Sequence, residues 1–311
     1  MIPDAARLER WIRANLPGFE SASVRDIAPV EGGASNVTCH VDLDGPTPAV
    51  ALRLQRDRGI FEPYDVLREG EVLRCLAAST VPVPAVLGEE RTREPLGAPF
   101  LVLEWVDAPH MGNAPDADFG AFTAMVARIH GLDWKALGLG LLGVPAGPKQ
   151  ALLGELAVIA ARMPAFGCDT DPLLVRALGG LRASVPGDGR LALCQGDINV
   201  FNYLFRGGKV AAVVDWEQAR ISDPRSDVGH LLALSHLKGT PWMPADAMPF
   251  AQAYGAVSGG AVHGMGWFRA RWLFELGVIW HGWVSFNGSS PWYARADVEA
   301  LLGQALAEIE A

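Results

Sequence analysis

Two short apolar runs separated by a pair of glycines constrain how the second half of this chain folds. The runs are residues 202–205 and 209–214, and Gly207-Gly208 lies between them. A Gly-Gly pair between strand-like runs predicts a two-residue β-hairpin turn, because both central positions need a positive φ. In the register that such a turn imposes, Asp215 lies diagonally across from Asn202, on the same face. The sequence therefore predicts a hairpin that places an amide oxygen beside a carboxylate at its open end.

The side chains around this hairpin have the chemistry of a metal site and a base. Mg²⁺ binds one or two protein oxygens and fills its remaining positions with water and phosphate. Asn202 and Asp215 are therefore candidate Mg²⁺ ligands. Asp197 precedes the hairpin in a tight Gly196-Asp197 loop. A carboxylate there, kept off the metal, can orient or deprotonate a hydroxyl group, so Asp197 is the candidate catalytic base.

A series of motif residues follows in order along the second half of the chain: Gly196-Asp197, Asn202, Asp215-Trp216-Glu217, Asp223-Pro224 and Asp227. This order resembles the aminoglycoside-phosphotransferase-like (choline-kinase-like) family. The family motif usually begins with His, where this chain has Gln195. That His is chiefly a structural hydrogen-bonding group, and Gln also carries a donor and an acceptor, so we expect Gln195 to preserve the loop.

The resemblance implies an α+β, protein-kinase-like fold with a small β-rich N-terminal lobe and a larger, mainly helical C-terminal lobe. It also implies transfer of the γ-phosphoryl group of ATP, or alternatively GTP, to a hydroxyl of a small-molecule acceptor, with Mg²⁺ as cofactor. The competing hypothesis is a catalytically silent nucleotide-binding protein, and Gln195 is its only sequence support. A third interpretation, an antibiotic-resistance enzyme, differs from a general small-molecule kinase in its biological role more than in the reaction that it catalyses. The oligomeric state stays open.

Composition narrows the class of protein. A chain of 311 residues fits one large domain or two lobes. Its net charge of -9 argues against nucleic acid as a partner, since a protein that binds nucleic acid requires a basic surface.

The cysteines and the apolar stretches indicate the environment of the protein. The four cysteines lack zinc-like spacing and favour free thiols. The N-terminal segment has the pattern of a surface helix without a signal-peptide core, and no apolar stretch is long enough to span a bilayer. We therefore expect a soluble, cytoplasmic protein without a membrane partner.

The first third of the chain predicts strands around a turn. Residues 37–43 alternate apolar and polar side chains, which indicates a strand with one buried face. The preceding turn, residues 31–36, is interpreted either as a plain hairpin loop or as backbone that wraps phosphates, which would bring Ser35 and Asn36 to a nucleotide. No helix pattern follows this turn, so a Rossmann or Walker site is excluded.

The next strand, residues 49–54, places Ala51 and Arg53 on one face. In kinase-like folds the corresponding Ala lies against adenine and a Lys binds the phosphates. The first Lys of this chain is Lys135. The resemblance therefore assigns Ala51 to the nucleotide base and Arg53 to its phosphates, since guanidinium binds phosphate oxygens bidentately. The alternative is a surface Arg on a strand edge.

Helical spacing over residues 65–78 places Glu69 on the apolar side of that helix. A buried carboxylate needs a partner, because burying it alone is costly. We therefore predict an ion pair between Glu69 and Arg53, which would reproduce the pair that holds the phosphate-binding cation in kinases.

A buried strand over residues 99–106 is predicted to end the first lobe. The predicted domains are then a nucleotide-binding lobe at 1–107 and a catalytic and acceptor-binding lobe at 108–311. This strand would be the hinge, and backbone groups near Glu104 and Val106 would meet an adenine edge.

Three polar residues of the second lobe have structural interpretations. A helix over residues 119–130 ends at Gly131, and His130 is interpreted as a cap or a buried support. Asp227 precedes an apolar run and is interpreted as a helix N-cap. Asp223, before a proline, is interpreted as a turn former. The resemblance implies that both aspartates brace the catalytic loops.

The C-terminal third is rich in aromatic residues and poor in acidic ones. Between positions 242 and 292, only Asp246 and Glu275 are acidic. Six of the ten tryptophans lie there, and most are expected in the core: Trp242, Trp267, Trp272, Trp280, Trp283 and Trp292. The resemblance places the acceptor in this region. Aminoglycosides carry several ammonium groups and need carboxylates, so the composition predicts a less cationic, partly apolar alcohol.

Overall fold

A computed structural model describes residues 3–30, 35–237, 248–259 and 262–310 of the chain. The chain divides into two compact units. The first comprises Met1–Ala108 and Ala211–Glu217, and the second comprises Pro109–Val210 and Gln218–Ala311. The predicted lobe of residues 1–107 did not include the segment Ala211–Glu217, which follows the Gly207-Gly208 turn.

The first unit is built on a five-stranded antiparallel sheet with the strand order β1-β2-β3-β5-β4. Its elements are α1 (Ala5–Asn15), β1 (Ser23–Pro29), β2 (Val37–Asp44), β3 (Ala49–Leu54), α2 (Val66–Leu76), β4 (Val86–Glu90) and β5 (Phe100–Glu104). The strands predicted within 37–43, 49–54 and 99–106 are confirmed. The helix predicted over 65–78 is α2, and the side chain of Asp65 caps it by accepting from the Arg68 N–H.

The core of the first unit lies between α1 and the sheet, where α1 contributes Leu8 and Ile12. The predicted alternation of β2 is present, because Cys39, Val41 and Leu43 are buried and their neighbours are not. By contrast, β3 is the central strand, and all six of its residues are buried. Arg53 is therefore a buried cation, and the alternative of a surface arginine is wrong.

The segment Ala211–Glu217 is fixed to the first unit by its backbone and by one large ring. The Val213 N–H donates to the Pro82 carbonyl at 2.8 Å. Trp216 is fully buried, and its indole N–H donates to the Val213 carbonyl at 2.9 Å. Burial of a tryptophan ring stabilises a fold by several kcal/mol, at about 25 cal/mol per Å² of apolar surface. This segment is thus part of the core of the first unit.

The second unit is mainly helical. Its helices are α3 (Phe119–His130), α4 (Pro148–Arg162), α5 (Pro172–Ala183), α6 (Arg225–Ser235), α7 (Met248–Ser258), α8 (Met265–Asn287) and α9 (Arg295–Glu310). Short 3₁₀ helices cover Leu139–Leu142 and Val200–Asn202. Strands β6 (Ala192–Cys194) and β9 (Arg220–Ser222) pair antiparallel. Strands β7 (Tyr203–Arg206) and β8 (Lys209–Val213) form the predicted hairpin, and both turn glycines have positive φ, 59° and 71°.

Helix α8 supplies much of the core of the second unit. Trp267 and Trp272 are buried, as predicted. Trp280 and Trp283 are only partly buried, and Trp292, beyond the end of α8, is 45% exposed. The prediction that most of these rings lie in the core is therefore wrong for the described residues. Trp242 and Asp246 lie outside the described residues. No helix within the described ranges is long and apolar enough to cross a membrane.

Helix α6 begins earlier than predicted. Its first residue is Arg225, preceded by Pro224 at the N-cap position. Asp227 therefore lies in the first turn, where an acidic side chain also suits the helix dipole, and the N-cap prediction is wrong. An aspartate before an apolar run fits both positions, which is why the pattern did not separate them.

Candidate functional site

Arg53, on β3 of the first unit, is surrounded by three carboxylates. Its Nε lies 2.5 Å from Oε2 of Glu69, and its Nη2 lies 2.7 Å from Oδ1 of Asp215 and 3.0 Å from Oε2 of Glu217. Its Nη1 donates to the Thr38 hydroxyl at 3.0 Å. Arg53 and Glu69 are 8% and 2% exposed, so the predicted buried ion pair is confirmed. The two further carboxylates were not predicted as partners of Arg53.

This cluster contains more negative than positive charge. Burial lowers the pKa of Arg53, but the carboxylates of Glu69, Asp215 and Glu217 outweigh burial and raise it overall. Burial raises the pKa of Glu217 to about 7; Asp215 adds to the rise and Arg53 opposes it. Burial also raises the pKa of Glu69. One guanidinium therefore does not balance its three neighbours, and hard carboxylate oxygens with unbalanced charge fit a divalent cation such as Mg²⁺.

Asp215 is held in an uncommon backbone conformation beside this cluster. Its φ is 60°, in the left-handed region that residues with a Cβ rarely adopt. The next residue, Trp216, donates its backbone N–H to Oε1 of Glu69 at 3.2 Å. Glu69 therefore fixes both Arg53 and the backbone that follows Asp215. The side chain of Asp215 is 27% exposed, which leaves it more open to a ligand than Glu69.

Asn36 and Ser35 lie beside the same cluster. The Asn36 amide NH₂ donates to Oε2 of Glu217 at 3.0 Å, and its Oδ1 accepts from the Arg56 N–H at 3.2 Å. Ser35 is buried and its hydroxyl hydrogen-bonds Glu217. Both side chains therefore hold Glu217 in place. Residues 31–34, the remainder of the predicted phosphate-wrapping turn, lie outside the described residues.

The residues predicted to contact adenine, Ala51, Glu104 and Val106, lie in and just after the sheet of the first unit. Ala51 is buried on β3 between His40 of β2 and Leu103 of β5. The Glu104 N–H donates to the Ala85 carbonyl at 2.8 Å, and the Val106 carbonyl accepts from the Ala108 N–H at 2.8 Å. These two backbone groups are thus engaged within the first unit.

Asp197, in the second unit, is fixed by two asparagine side chains. The Asn202 NH₂ group donates to Oδ2 of Asp197 at 3.0 Å and to its carbonyl at 2.8 Å. The Asn199 NH₂ group donates to Oδ1 at 3.0 Å. Because the NH₂ group of Asn202 is engaged, its Oδ1 is the atom that suits a cation. Each oxygen of Asp197 accepts from an amide, which orients the carboxylate without supplying a counter-charge.

Asn202 itself does not lie in the hairpin strand. It ends the 3₁₀ helix Val200–Asn202, and β7 starts at Tyr203. The side chain of Asn199 caps this short helix by accepting from the Phe201 N–H at 2.9 Å. The prediction that Asn202 is a strand residue is therefore wrong, because a local side-chain cap overrides the apolar pattern.

The backbone of the Gln195-Gly196 loop is held from below by Asp227. Its carboxylate accepts from the N–H groups of Gln195 at 2.8 Å and Gly196 at 3.1 Å. Nε2 of His130 lies 3.1 Å from the same carboxylate, and Nδ1 of His130 lies 2.8 Å from the Tyr254 hydroxyl. Asp227 and His130 are both buried. Asp227 thus braces the loop, and His130 is the buried support that the sequence predicted.

Gln195 and Gly196 each satisfy a local requirement of this loop. The Gln195 Oε1 accepts from the Tyr203 hydroxyl at 2.9 Å, inside the core. Gly196 has a φ of 88°, and a Cβ there would lie 2.3 Å from the Gln218 carbonyl oxygen. A side chain at this position would therefore displace the backbone that carries Asp197.

His230 of α6 also lies beside Asp197, and no pattern in the sequence pointed to it. Its Nδ1 is 3.7 Å from Oδ1 of Asp197, and its ring stacks on Trp272 with centroids 3.9 Å apart. Burial lowers the pKa of His230 to about 3; Arg271 and Arg220 add to this, and Asp227 opposes it. The ring is therefore neutral near pH 7.

The buried, neutral state of His230 predicts that the stability of the fold depends on pH. In the unfolded chain His230 binds a proton below about pH 6.5, whereas in the folded chain it stays neutral until about pH 3. Its contribution to stability is present above pH 6.5 and is lost as the pH falls. We expect the free energy of unfolding to drop by up to about 1.4 kcal/mol per pH unit between pH 6 and 5 through this residue.

Chemical denaturation of the wild type and His230→Phe at pH 7, 6 and 5 measures this contribution. The variant should lose less stability than the wild type over this range, since every other histidine is common to both proteins. Equal losses in the two proteins would contradict the neutral, buried state of His230.

Comparison with solved structures identifies the fold. The chain superposes on a putative aminoglycoside phosphotransferase from Ralstonia eutropha with a TM-score of 0.73 at 20% identity, covering 99% of this chain and 96% of that one. It also resembles aminoglycoside phosphotransferase APH(4)-Ia, solved in a ternary complex with ADP and hygromycin B, with a TM-score of 0.62 at 16% identity, over 93% and 94% of the two chains. The predicted kinase-like α+β fold class is confirmed.

Comparison of sequences extends this to the family. Over 244 residues, 74% of this chain, it is 28% identical to mouse acyl-CoA dehydrogenase family member 10, but it spans only 22% of that protein's length. The model of the phosphotransferase enzyme family (APH) matches residues 26–273, a range that contains Arg53, Asp197, Asn202 and Asp215. The chain therefore belongs to the phosphotransferase enzyme family.

Proposed function

We propose that this chain is a Mg²⁺-dependent kinase that transfers the γ-phosphoryl group of ATP, or alternatively GTP, to a hydroxyl of a partly apolar small molecule. The observation that carries the proposal is the buried cluster in which Arg53 contacts three carboxylates. That arrangement suits a cation and the phosphates it accompanies. A fourth carboxylate, Asp197, is oriented by the amides of Asn199 and Asn202, which suits a proton acceptor.

In this proposal the first unit binds the nucleotide. Arg53, held by Glu69, binds phosphate oxygens through its guanidinium. Ser35, Asn36, Ala51, Glu104 and Val106 are the further nucleotide-side residues. Asn202 and Asp215 are the proposed Mg²⁺ ligands, through hard oxygen atoms. Bound Mg²⁺ would supply charge stabilisation for the transferred phosphoryl group.

Asp197 is the proposed base. It orients the acceptor hydroxyl and accepts its proton while the new O–P bond forms and the bond to the leaving nucleoside diphosphate breaks. The protein contributes mainly positioning and charge stabilisation to such a reaction. The amides of Asn199 and Asn202 contribute positioning, because they fix the direction of the carboxylate.

Gln195 was the only support for a silent nucleotide-binding protein. Its buried hydrogen bonds to Tyr203 and Asp227 maintain the loop that carries Asp197. This supports a kinase over the silent alternative. The name of the mouse relative refers to acyl-CoA dehydrogenase, but the chain matches only 22% of that protein, so the name does not carry that chemistry to this chain.

The test is transfer of radiolabelled γ-phosphate from ATP or GTP to a panel of neutral, anionic and cationic alcohols. Mg²⁺-dependent phosphoester formation that disappears with EDTA and in Asp197→Asn supports the proposal. Nucleotide binding without turnover over the whole panel, including water, would instead favour the silent protein.

The acceptor is expected to be poor in positive charge. In the described part of the aromatic-rich run, Glu275 is the acidic residue, and it is 4% exposed. Arg271 contacts it at 2.7 Å and Arg162 at 3.6 Å, so its charge is already matched.

We therefore expect kanamycin-like polyamines to be phosphorylated inefficiently, with kcat/KM well below about 10⁴ M⁻¹s⁻¹. Steady-state kinetics with kanamycin and with the best neutral alcohol of the panel provide the comparison. A value for kanamycin at or above that level would show that carboxylates elsewhere bind the ammonium groups.

A further inference from the structure

His230 presents a nitrogen to Asp197 without bonding to it. The residue is 5% exposed, and its Nδ1 is a buried nitrogen without a hydrogen-bond partner among the described residues. The distance of 3.7 Å from Nδ1 to Oδ1 of Asp197 exceeds a hydrogen bond. A buried polar atom left without a hydrogen bond destabilises the fold, so its retention beside the proposed base points to a ligand.

The position of the ring is set by its neighbours. It stacks on Trp272 at an interplanar angle of 13°, which fixes its plane. One residue earlier, Gly229 allows α6 to approach α8, since a Cβ there would lie 2.6 Å from Cβ of Phe268. His230 therefore cannot move toward Asp197 without disturbing both contacts. Asp197 in turn is fixed by Asn199 and Asn202.

The electrostatics select one form of the ring. A bare Nδ1 would turn its lone pair toward the Asp197 carboxylate, which is repulsive, whereas an Nδ1–H would face it favourably. The ring is neutral near pH 7 because burial lowers its pKa. His230 is thus an N–H donor that does not compete with Asp197 for a proton.

A hydroxyl oxygen brought between these two atoms by an acceptor would bridge them. Nδ1 of His230 and Oδ1 of Asp197 are 3.7 Å apart. An oxygen at a hydrogen-bonding distance of about 2.8 Å from both atoms would therefore lie beside the line that joins them. Such an oxygen donates its hydrogen to Oδ1 of Asp197 and accepts from Nδ1–H of His230. Both bonds use the two groups as the structure orients them.

We propose that His230 is a positioning residue for the phosphoryl acceptor, whose hydroxyl it holds against Asp197 through Nδ1–H. The inference rests on the proposed kinase function. As the reaction proceeds, the hydroxyl proton passes to Asp197, the oxygen forms its bond to phosphorus, and the bond to the nucleoside diphosphate breaks. His230 keeps its own proton throughout and restricts the acceptor oxygen to one position.

The experiment uses the full chain with water and 1-propanol as acceptors, so that no natural acceptor is needed. His230→Phe retains a ring to stack on Trp272 but removes Nδ1, and His230→Asn restores an N–H donor near the same position. Mg²⁺-dependent formation of phosphate and propyl phosphate is measured, together with calorimetric affinity for a non-hydrolysable ATP analogue. Thermal melts confirm that both variants are folded.

We expect His230→Phe to lower both transfer rates by roughly 10- to 100-fold, the loss of one buried hydrogen bond, with unchanged nucleotide affinity. His230→Asn should recover a large part of the loss. Wild-type transfer rates in His230→Phe, or equal loss in both variants, would overturn the inference alone. If the wild type transfers to neither acceptor, the best alcohol of the panel replaces 1-propanol. Absence of transfer to every alcohol of the panel would overturn the proposed function and this inference with it.

A second measurement does not depend on turnover. In a ¹⁵N-histidine-labelled sample, the nitrogen shifts of His230, assigned by its absence from His230→Phe, should report a neutral ring with the proton on Nδ1 at pH 7. A ring with a bare Nδ1 could not donate to the acceptor, and that result would contradict the proposal.

Discussion

Replacing Asp197 by Asn should lower kcat by roughly 10²–10⁴-fold while nucleotide affinity in the presence of Mg²⁺ changes little. A base acts as the acceptor proton moves, so its loss affects the chemical step and not the binding of nucleotide. Both oxygens of Asp197 accept from asparagine NH₂ groups. In Asp197→Asn, the new NH₂ group would face the NH₂ group of Asn199 or Asn202, and two donors cannot hydrogen-bond each other. A small loss of thermal stability should therefore accompany the loss of kcat.

Asp215→Asn is the matched control, since it changes the same functional group in the first unit. Asp215 belongs to the carboxylate cluster around Arg53, so its loss should weaken Mg²⁺-dependent nucleotide binding. Calorimetric titration of both variants with nucleotide and Mg²⁺, beside turnover, separates the two roles. The division of roles fails if Asp197→Asn binds nucleotide as poorly as Asp215→Asn, and the mechanism fails if Asp197→Asn turns over at the wild-type rate.

The second large effect is expected from Arg53→Met, which leaves three carboxylates without their cation. Breaking a buried ion pair by removing one partner costs about 3–5 kcal/mol of unfolding free energy, because the remaining charge stays buried. The nucleotide KM should rise as well. Arg53→Lys should lie between the wild type and Arg53→Met, since a single ammonium cannot repeat the contacts that the guanidinium makes to Glu69, Asp215 and Glu217.

Arg58→Met is the control for loss of an arginine in the same unit. Its side chain is 80% exposed and lies 3.8 Å from Glu62, so its loss should change stability by less than about 1 kcal/mol. Urea denaturation and nucleotide kinetics on the three variants test the prediction. If Arg53→Met and Arg58→Met have equal free energies of unfolding, the three carboxylates do not need the guanidinium of Arg53, and the prediction is wrong.

Local periodicity predicted the parts of the first unit that depend on one element at a time. The alternation of β2 and the position of Glu69 on the apolar side of α2 were both visible as spacing, and the structure agrees with them. Strand β4 was missed because its five residues are all partly exposed, so it shows no alternation.

The composition of the site could be predicted only in part, because most of its contacts join distant segments. Arg53 and Asp215 are separated by 162 positions, and no spacing rule links them. The family resemblance pointed to Asp215 but not to its bond with Arg53, and it left Glu217 without a role. His230 was missed for a similar reason, since its position beside Asp197 results from the packing of α6 on α8.

The return of Ala211–Glu217 to the first unit bears on how such a chain can change during evolution. A gene fragment that stops at codon 108 would encode a sheet without Trp216, and Arg53 would keep Glu69 but lose Asp215 and Glu217. A single crossover at that codon would therefore separate residues that must fold together. To exchange either unit between homologous genes, two further crossovers are needed, one on each side of Ala211–Glu217. We therefore expect the two units to be inherited together.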